Sequence, residues 1–255
     1  MTSPLALSAA LFAAATSLAP MAKECTVRSG PFKNALLELY TSEGCSSCPP
    51  ADRWLSSLTP AAEQPRVIPI AFHVSYWDYI GWKDAFADPR FTQRQRELAT
   101  AARRPSVYTP QVILDGGDFD GWRSAGFPKA LRGVTGLPAK ASMELTRSSQ
   151  PGAITALVRI DLPAKARKAD LALVVVLTEN QLGSKVTAGE NRGTILRHEF
   201  VARDFTSLPV DGAKEYRVRF DAKPQYKPTD TSVVAFVQDR ATGEVLQALA
   251  SCNPT

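Results

Sequence analysis

The sequence lacks a strong excess of charge of either sign. Its 255 residues include 30 Lys and Arg and 25 Asp and Glu, which leave a net charge of +5 at pH 7. Charge this evenly balanced aids solubility and does not identify a partner, so nucleic acid is not an expected ligand. With 15 glycines, 19 prolines and 44% hydrophobic residues, the composition excludes collagen, a coiled coil and a wholly disordered chain.

The sequence also lacks an apolar run long enough to cross a membrane. Its most apolar stretch, residues 5–19, ends at Pro20, whereas a spanning helix needs about 20 consecutive apolar residues. A short Ala/Leu-rich segment that precedes the first charge, at Lys23, is typical of an export signal. We therefore predict a signal peptide over residues 1–22, an exported, periplasmic protein, and no stable insertion in the membrane.

The pattern of predicted elements changes near residue 138. Before this point, three short apolar segments of strand length alternate with three helical patterns, an order typical of an α/β layer. After it, seven strand candidates, among them residues 153–161 and 195–205, follow one another without a convincing helix, which is typical of an antiparallel sandwich. We therefore predict an α/β domain over residues 23–138, followed by an all-β, antiparallel, sandwich-like domain over residues 139–255.

Cysteine is scarce, with four residues in the chain. Disulfides persist outside the cytosol, so an exported protein is expected to oxidise its cysteines. Cys45 and Cys48 form a close pair, whereas Cys25 and Cys252 lie near opposite ends of the mature chain. We predict that Cys25 and Cys252 form a structural disulfide that joins the start of the first domain to the end of the second.

The close pair lies between the first predicted strand and the first predicted helix. Unpaired N–H groups and partial positive charge at a helix N-terminus stabilise a thiolate and lower the pKa of a cysteine placed there. The spacing puts both sulfurs on one side of the first helical turn. Cys45 is thus the predicted catalytic nucleophile, and Cys48 resolves the mixed disulfide that Cys45 forms with a substrate.

Four segments resemble a known family. Residues 38–52, 71–84, 108–111 and 189–193 look like the secreted bacterial proteins grouped as domain of unknown function 1223. The resemblance implies a thioredoxin-like fold for residues 23–138. Because thioredoxin-like proteins in general carry out thiol–disulfide exchange, the resemblance also implies this activity.

The same resemblance implies roles for three further residues. Thr109 and Pro110 correspond to the substrate-binding position, where a cis-proline faces the cysteines and the preceding backbone contacts the substrate. Glu38 is a candidate proton shuttle for the resolving thiol. Because Glu38 lies one residue further from Cys45 than the equivalent acid of thioredoxin, simple burial in the strand is the alternative.

Other roles for Cys45 and Cys48 stay open. The pair can be a permanently closed disulfide, a copper-binding carrier site in which His73 joins the soft thiolates, or part of a non-catalytic adaptor. A structural zinc site needs four ligands and finds no second cysteine pair, and covalent haem is excluded because Pro49 follows Cys48 where His is required.

The leading hypothesis from the sequence is an exported thiol–disulfide oxidoreductase that needs no dissociable cofactor and no metal. Its expected partners are a protein thiol or disulfide substrate and a redox partner that recycles the cysteine pair. The second predicted domain would set the choice of partner.

Overall fold

The computed structural model describes residues 23–58, 67–163 and 170–252. The predicted signal peptide, residues 1–22, lies outside the described residues. Within the described ranges the chain is rich in β-strands, with three α-helices and three short 3-10 helices. None of the helices in this part of the chain is both long enough and apolar enough to cross a membrane.

The described elements have the following bounds. The strands are β1 Lys23–Arg28, β2 Ala35–Thr41, β3 Val67–His73, β4 Gln111–Leu114, β5 Gly117–Asp118, β6 Ser142–Gln150, β7 Ala153–Asp161, β8 Leu171–Glu179, β9 Leu182–Lys185, β10 Ile195–His198, β11 Val201–Pro209, β12 Glu215–Asp221, β13 Thr231–Asp239 and β14 Val245–Ala250. The helices are α1 Pro49–Ser56, α2 Pro89–Ala101 and α3 Gly126–Thr135, with 3-10 turns at Ser75–Ile80, Asp120–Arg123 and Pro228–Asp230.

The strands of the described residues form two sheets and a separate hairpin. An eight-stranded mixed sheet has the order β14-β13-β8-β11-β3-β2-β4-β5, and a four-stranded antiparallel sheet has the order β1-β6-β7-β12. β9 and β10 pair only with each other. Each sheet contains strands from both sides of residue 138.

The predicted fold class, an α/β thioredoxin-like domain followed by an all-β antiparallel sandwich, is wrong. Val201 of β11 pairs with Ala71 of β3 in parallel register, and the amide of Ala71 donates to the carbonyl of Phe200 at 2.8 Å. This contact joins the strands of the first half of the chain to those of the second half in one continuous sheet. Periodicity identifies a strand but not its neighbour, because pairing depends on packing against residues distant in the sequence.

Both faces of the eight-stranded sheet are covered. α2 packs on one face, where Phe91 and Leu98 join apolar side chains of β2, β3, β8 and β13. On the other face, α1 and α3 cover β2, β3 and β4, and the four-stranded sheet covers β8, β13 and β14. β8 is consequently buried along all nine of its residues, as expected for a strand enclosed on both sides.

The two ends of the described chain are joined by a disulfide between Cys25 and Cys252. Their Cα atoms lie 5.9 Å apart although 227 positions separate them in the sequence. Cys25 is on β1, which pairs with β6, and Cys252 follows β14 at the edge of the large sheet. The bridge thus ties the edge strand of one sheet to the edge strand of the other.

Candidate redox site

Cys45 and Cys48 lie in the turn between the end of β2 and the start of α1. They form a disulfide, with their Cα atoms 5.4 Å apart. Cys48 is the N-cap residue and Pro49 is the first helical residue, because a proline lacks only an N–H that would have no partner in the first turn. Ser46 and Ser47 between the cysteines are exposed, whereas both cysteines are fully buried. The sulfurs of this disulfide therefore face into the protein.

Backbone hydrogen bonds hold this turn in place. The amide of Cys45 donates to the carbonyl of Ser42, and the amide of Cys48 donates to that of Cys45, both at 3.2 Å. Gly44 precedes the pair at a point of close approach, since a Cβ there would lie 3.2 Å from both Ile80 Cδ1 and Trp77 Cβ. A side chain at position 44 would therefore force Ile80 or Trp77 to shift.

Asp52 lies one helical turn beyond Cys48 and is buried. Residues four apart on a helix share a face, with Cβ atoms about 5–6 Å apart. The hydroxyl of Thr41, at the end of β2, donates to Asp52 Oδ2 at 3.2 Å. Burial raises the pKa of the Asp52 carboxyl, and the nearby histidines and the Thr41 hydrogen bond offset this only in part.

Two buried histidine–carboxylate pairs lie near Asp52. Nδ1 of His73 is 2.7 Å from Asp84 Oδ2, and Nε2 of His198 is 3.0 Å from Glu43 Oε1. The two imidazole rings contact each other with centroids 4.8 Å apart. Asp84 Oδ2 also accepts the amide of Glu43 at 2.9 Å, so the pairs form one network that reaches the residue two before Cys45.

The pKa values of one pair move in opposite directions. Burial lowers the pKa of His73, but the charge and hydrogen bond of Asp84, aided by the charges of Asp52 and Glu43, outweigh it and the net shift is upward. Burial alone would raise the pKa of Asp84, but His73 and the amides of Glu43 and Phe86 hold it below its usual value. Both shifts favour an imidazolium facing a carboxylate.

Glu38, the candidate proton shuttle of the sequence analysis, lies on the opposite face of the sheet from α1. Neighbouring residues of β2 point to alternate faces, so Leu37 and Leu39 pack towards α1 while Glu38 points towards α2. There its two carboxylate oxygens accept from Arg94 Nε and Nη2, both at 2.8 Å. The sequence does not reveal this ion pair, because Arg94 looks like one of several surface arginines of α2.

Thr109 and Pro110 precede β4, whose first residue, Gln111, pairs with Tyr40 near the end of β2. The Thr109–Pro110 peptide bond is cis. Thr109 Oγ1 accepts the indole N–H of Trp77 at 2.7 Å. Thr109 is thus linked through Trp77 to the tight packing around Gly44.

The four network residues Glu43, Asp84, His198 and Asp52 are absent from the predicted site. They come from two loops, β10 and α1, and no sequence spacing connects them. The motif at 71–84 contains His73 and Asp84, and their joint presence in one recognised segment is the one signal from which part of the network could be found.

In each histidine of the network, one ring nitrogen is hydrogen-bonded to a carboxylate. The other ring nitrogen, Nε2 in His73 and Nδ1 in His198, has no hydrogen-bond partner among the described residues. A metal-bound histidine has this arrangement. Across the described ranges, however, no three or more His, Cys, Asp or Glu side chains are placed to hold a metal ion. The copper-carrier alternative therefore stays a prediction.

The fold and the site together define a β-rich protein of two packed sheets that carries a C-x-x-C disulfide over a buried histidine–carboxylate network. The chain belongs to the family described as "Protein of unknown function (DUF1223)", whose model matches residues 36–238.

The fold is shared with a solved structure. Protein AGR_C_4864 from Agrobacterium tumefaciens is similar at 22% identity and a TM-score of 0.61, over 88% of this chain and 96% of that one. At this identity the likeness shows the fold alone. A domain of the outer membrane lipoprotein Omp28 from Porphyromonas gingivalis aligns at 17% identity over 44% of this chain and 87% of its own, with a TM-score of 0.29, too low for inference. No curated protein sequence gives a significant match.

Proposed function

We propose that the protein is a thiol–disulfide oxidoreductase whose redox centre is the Cys45–Cys48 pair. The observation that carries the proposal is the placement of this short-range disulfide at the first turn of α1, next to a buried network of acids and histidines. A helix N-terminus stabilises the thiolate of the open form. Titratable groups nearby supply a place for the protons that exchange requires.

The energetics of the two disulfides support a division of roles. In the chain-entropy account, a bridge that closes a loop of about four residues stabilises the fold by only about 2 kcal/mol. The Cys25–Cys252 bridge joins residues 227 positions apart, for which the same account allows about 5 kcal/mol. Opening Cys45–Cys48 therefore costs the fold little, whereas Cys25–Cys252 acts as the structural bridge.

Exchange proceeds in two balanced steps. The thiolate of Cys45 attacks one sulfur of a substrate disulfide, which forms a mixed disulfide and releases the first substrate sulfur as a thiolate. The thiolate of Cys48 then attacks the Cys45 sulfur, which closes the protein disulfide and releases the second substrate sulfur. The substrate gains two electrons and two protons, and the reverse sequence oxidises a substrate dithiol.

Asp52 accepts the proton that Cys48 must lose before the second step. The carboxyl lies on the same helix face as Cys48, one turn away, and its raised pKa brings it closer to that of a thiol, which favours proton transfer. Glu38 is not used in this role, because Arg94 binds both of its oxygens on the far face of the sheet.

Replacing Asp52 by asparagine is expected to slow disulfide exchange about 100-fold at pH 7, the usual size of a lost acid–base contribution. Folding raises the pKa of this carboxyl, so its ionisation costs stability as pH rises above the unfolded value, and D52N should not lower the unfolding temperature at pH 7. The measurement is the rate of reduction of a protein disulfide from pH 5 to 9, where D52N should lose an inflection.

Asp115→Asn is the matched control for D52N. Burial raises the pKa of Asp115 to about 6, yet its partner is Lys33 and it lies in the β4–β5 turn. This variant should keep the wild-type rate and pH profile. An unchanged rate in D52N would remove Asp52 from the mechanism.

The setting of the reaction follows from the same proposal. The export signal predicted at residues 1–22 and the two disulfides support an exported, periplasmic location, since such bonds are reduced in the cytosol. The substrate is a protein thiol or disulfide, and a second redox protein returns the pair to its starting state. No dissociable cofactor is required.

A glutathione titration tests the proposed function. The protein is equilibrated with oxidised and reduced glutathione at varied ratios, quenched by alkylation, and analysed as peptides by mass spectrometry. Cys45 and Cys48 should be labelled together, reversibly, with a single two-electron midpoint. A pair that opens only when the protein unfolds would instead identify a permanently closed structural disulfide.

A further inference from the structure

The segment between β8 and β11, residues 182–198, is built as a separate flap, and we infer that it controls access to the Cys45–Cys48 disulfide, with Glu190 and Asn191 as its latch. The inference rests on the proposed function and adds a gate to it. Both cysteines are fully buried, and a thiolate must reach a sulfur directly to exchange with it. Something must therefore move before a protein substrate can react.

Among the described strands, no ladder of backbone hydrogen bonds joins the flap to the two sheets. Its strands β9 and β10 pair with each other and with no strand of the two sheets. β8 and β11, which flank it, are themselves paired along most of their length. The flap can thus lift without breaking any ladder of the eight-stranded sheet.

The tip of the flap, residues 189–193, binds the backbone around Cys45. Asn191 Nδ2 donates to the carbonyl of Glu43 at 2.8 Å and to that of Cys45 at 3.0 Å. Glu190 Oε2 accepts the amide of Ser46 at 2.9 Å. Three hydrogen bonds therefore fasten the tip to the residues on both sides of the reactive cysteine, and Asn191 is itself buried.

Two further contacts seat the flap. His198, at the end of β10, bonds Glu43, so lifting the flap also separates one of the buried histidine–carboxylate pairs. Ile80 fills the space between flap and cysteine turn: a Cβ at Gly189 would lie 3.2 Å from Ile80 Cδ1, and a Cβ at Gly44 would lie equally close to the same atom. The latch, the His198–Glu43 hydrogen bond and this apolar contact with Ile80 all act on the segment 43–46.

These contacts give a mechanism for selective reactivity. With the flap closed, the disulfide is shielded from thiols in bulk solvent. With the flap open, the carbonyls of Glu43 and Cys45 and the amide of Ser46 become free to bind the backbone of an extended substrate, because Glu190 and Asn191 occupy these groups in the closed state. A partner that displaces Glu190 and Asn191 would form these hydrogen bonds itself and would reach the disulfide.

The test is the rate at which dithiothreitol opens Cys45–Cys48 under native conditions. One dithiothreitol thiolate attacks a protein sulfur and forms a mixed disulfide. The second dithiothreitol thiol then attacks the first dithiothreitol sulfur and releases the protein sulfur. The protein gains two electrons and two protons, and the reagent becomes a cyclic disulfide. Asn191→Ala is expected to react about tenfold faster than wild type, which corresponds to about 1.4 kcal/mol of lost closure energy. Arg192→Ala, an exposed neighbour in the same tip, should react at the wild-type rate.

A second variant and a second measurement separate flap opening from general unfolding. A Cβ at Gly189, which has φ +71°, would lie 3.2 Å from Ile80 Cδ1, whereas a Cβ at Gly152, which has φ +77°, would meet nothing within 4 Å. Gly189→Ala should speed reduction and lower amide-exchange protection of residues 182–198 while β8 and β13 stay protected. Gly152→Ala introduces similar backbone strain in the β6–β7 turn and should leave the flap unchanged.

Equal rates for wild type, N191A and Gly189→Ala would overturn the gate. They would leave the proposed function standing if the glutathione titration still gave a reversible couple. The opposite outcome is faster reduction of Cys45–Cys48 in N191A without any exchange between the protein and a protein disulfide. This outcome would support control of access by the flap and contradict the proposed oxidoreductase function.

Discussion

Replacing Cys45 by serine will reduce disulfide exchange to background, and replacing Cys48 by serine will leave Cys45 covalently joined to the substrate. The first variant lacks the attacking thiolate. The second completes the attack but lacks the thiol that releases the product. The measurement is reduction of a protein disulfide in solution, followed by non-reducing electrophoresis and peptide mass spectrometry of the trapped species.

The double variant Cys25→Ser/Cys252→Ser is the matched control. It removes the other disulfide, so it should lose stability of up to about 5 kcal/mol while the folded fraction keeps its exchange activity. Wild-type exchange in Cys45→Ser would refute the assignment of the nucleophile. Trapping on Cys48 in Cys45→Ser would show that the two roles are reversed.

Replacing Arg94 by methionine will lower the free energy of unfolding by about 3–5 kcal/mol, the cost of leaving a buried charge without its partner. Glu38 is fully buried and depends on Arg94 for two hydrogen bonds of 2.8 Å. The Tyr40 hydroxyl donates to the same carboxylate at 2.9 Å. Burial and the charge of Glu38 raise the pKa of Tyr40, so this hydroxyl stays protonated and cannot replace the lost positive charge.

Urea unfolding at pH 7 measures the loss in Arg94→Met. The double variant Glu38→Leu/Arg94→Met should recover part of it, because two apolar side chains leave no isolated charge. Removing the exposed pair Lys140–Glu244, whose side chains are 60% and 40% exposed, should change stability by less than about 1 kcal/mol. A loss of less than about 1 kcal/mol for Arg94→Met would contradict the dependence of Glu38 on its ion pair with Arg94.

Part of the site can be predicted from the sequence because it is built from neighbours in the chain. The strand, the cysteine pair and the helix of residues 35–56 form one continuous segment, and the prolines after Cys48 set the first helical residue. The remainder of the site depends on contacts across long separations. His198 reaches Glu43 over 155 positions and Asn191 reaches Cys45 over 146, and no local spacing encodes either contact.

The strand boundaries illustrate the same limit. A single strand is predicted over 195–205, but the structure divides it into β10 and β11 at Phe200, which has φ 58°. No glycine or proline marks this turn in the sequence. Tertiary hydrogen bonds hold this turn in place. The Phe200 amide donates to Asn180 Oδ1 at 2.7 Å, and the Phe200 carbonyl accepts from the amide of Ala71.

By itself the sequence determined the elements whose causes are local. α2 begins at Pro89 because Asp88 caps the amide of Arg90 and proline suits the first helical position, and β7 occupies the predicted range 153–161 because apolar and polar residues alternate there. Tertiary structure alone decided that β3 lies beside β11, that Glu38 faces Arg94, and that Asn191 bonds the backbone around Cys45. Capping and alternation act between residues a few positions apart. The neighbour of a strand and the contacts around the cysteines depend instead on the burial of surfaces that meet only when the whole chain has folded.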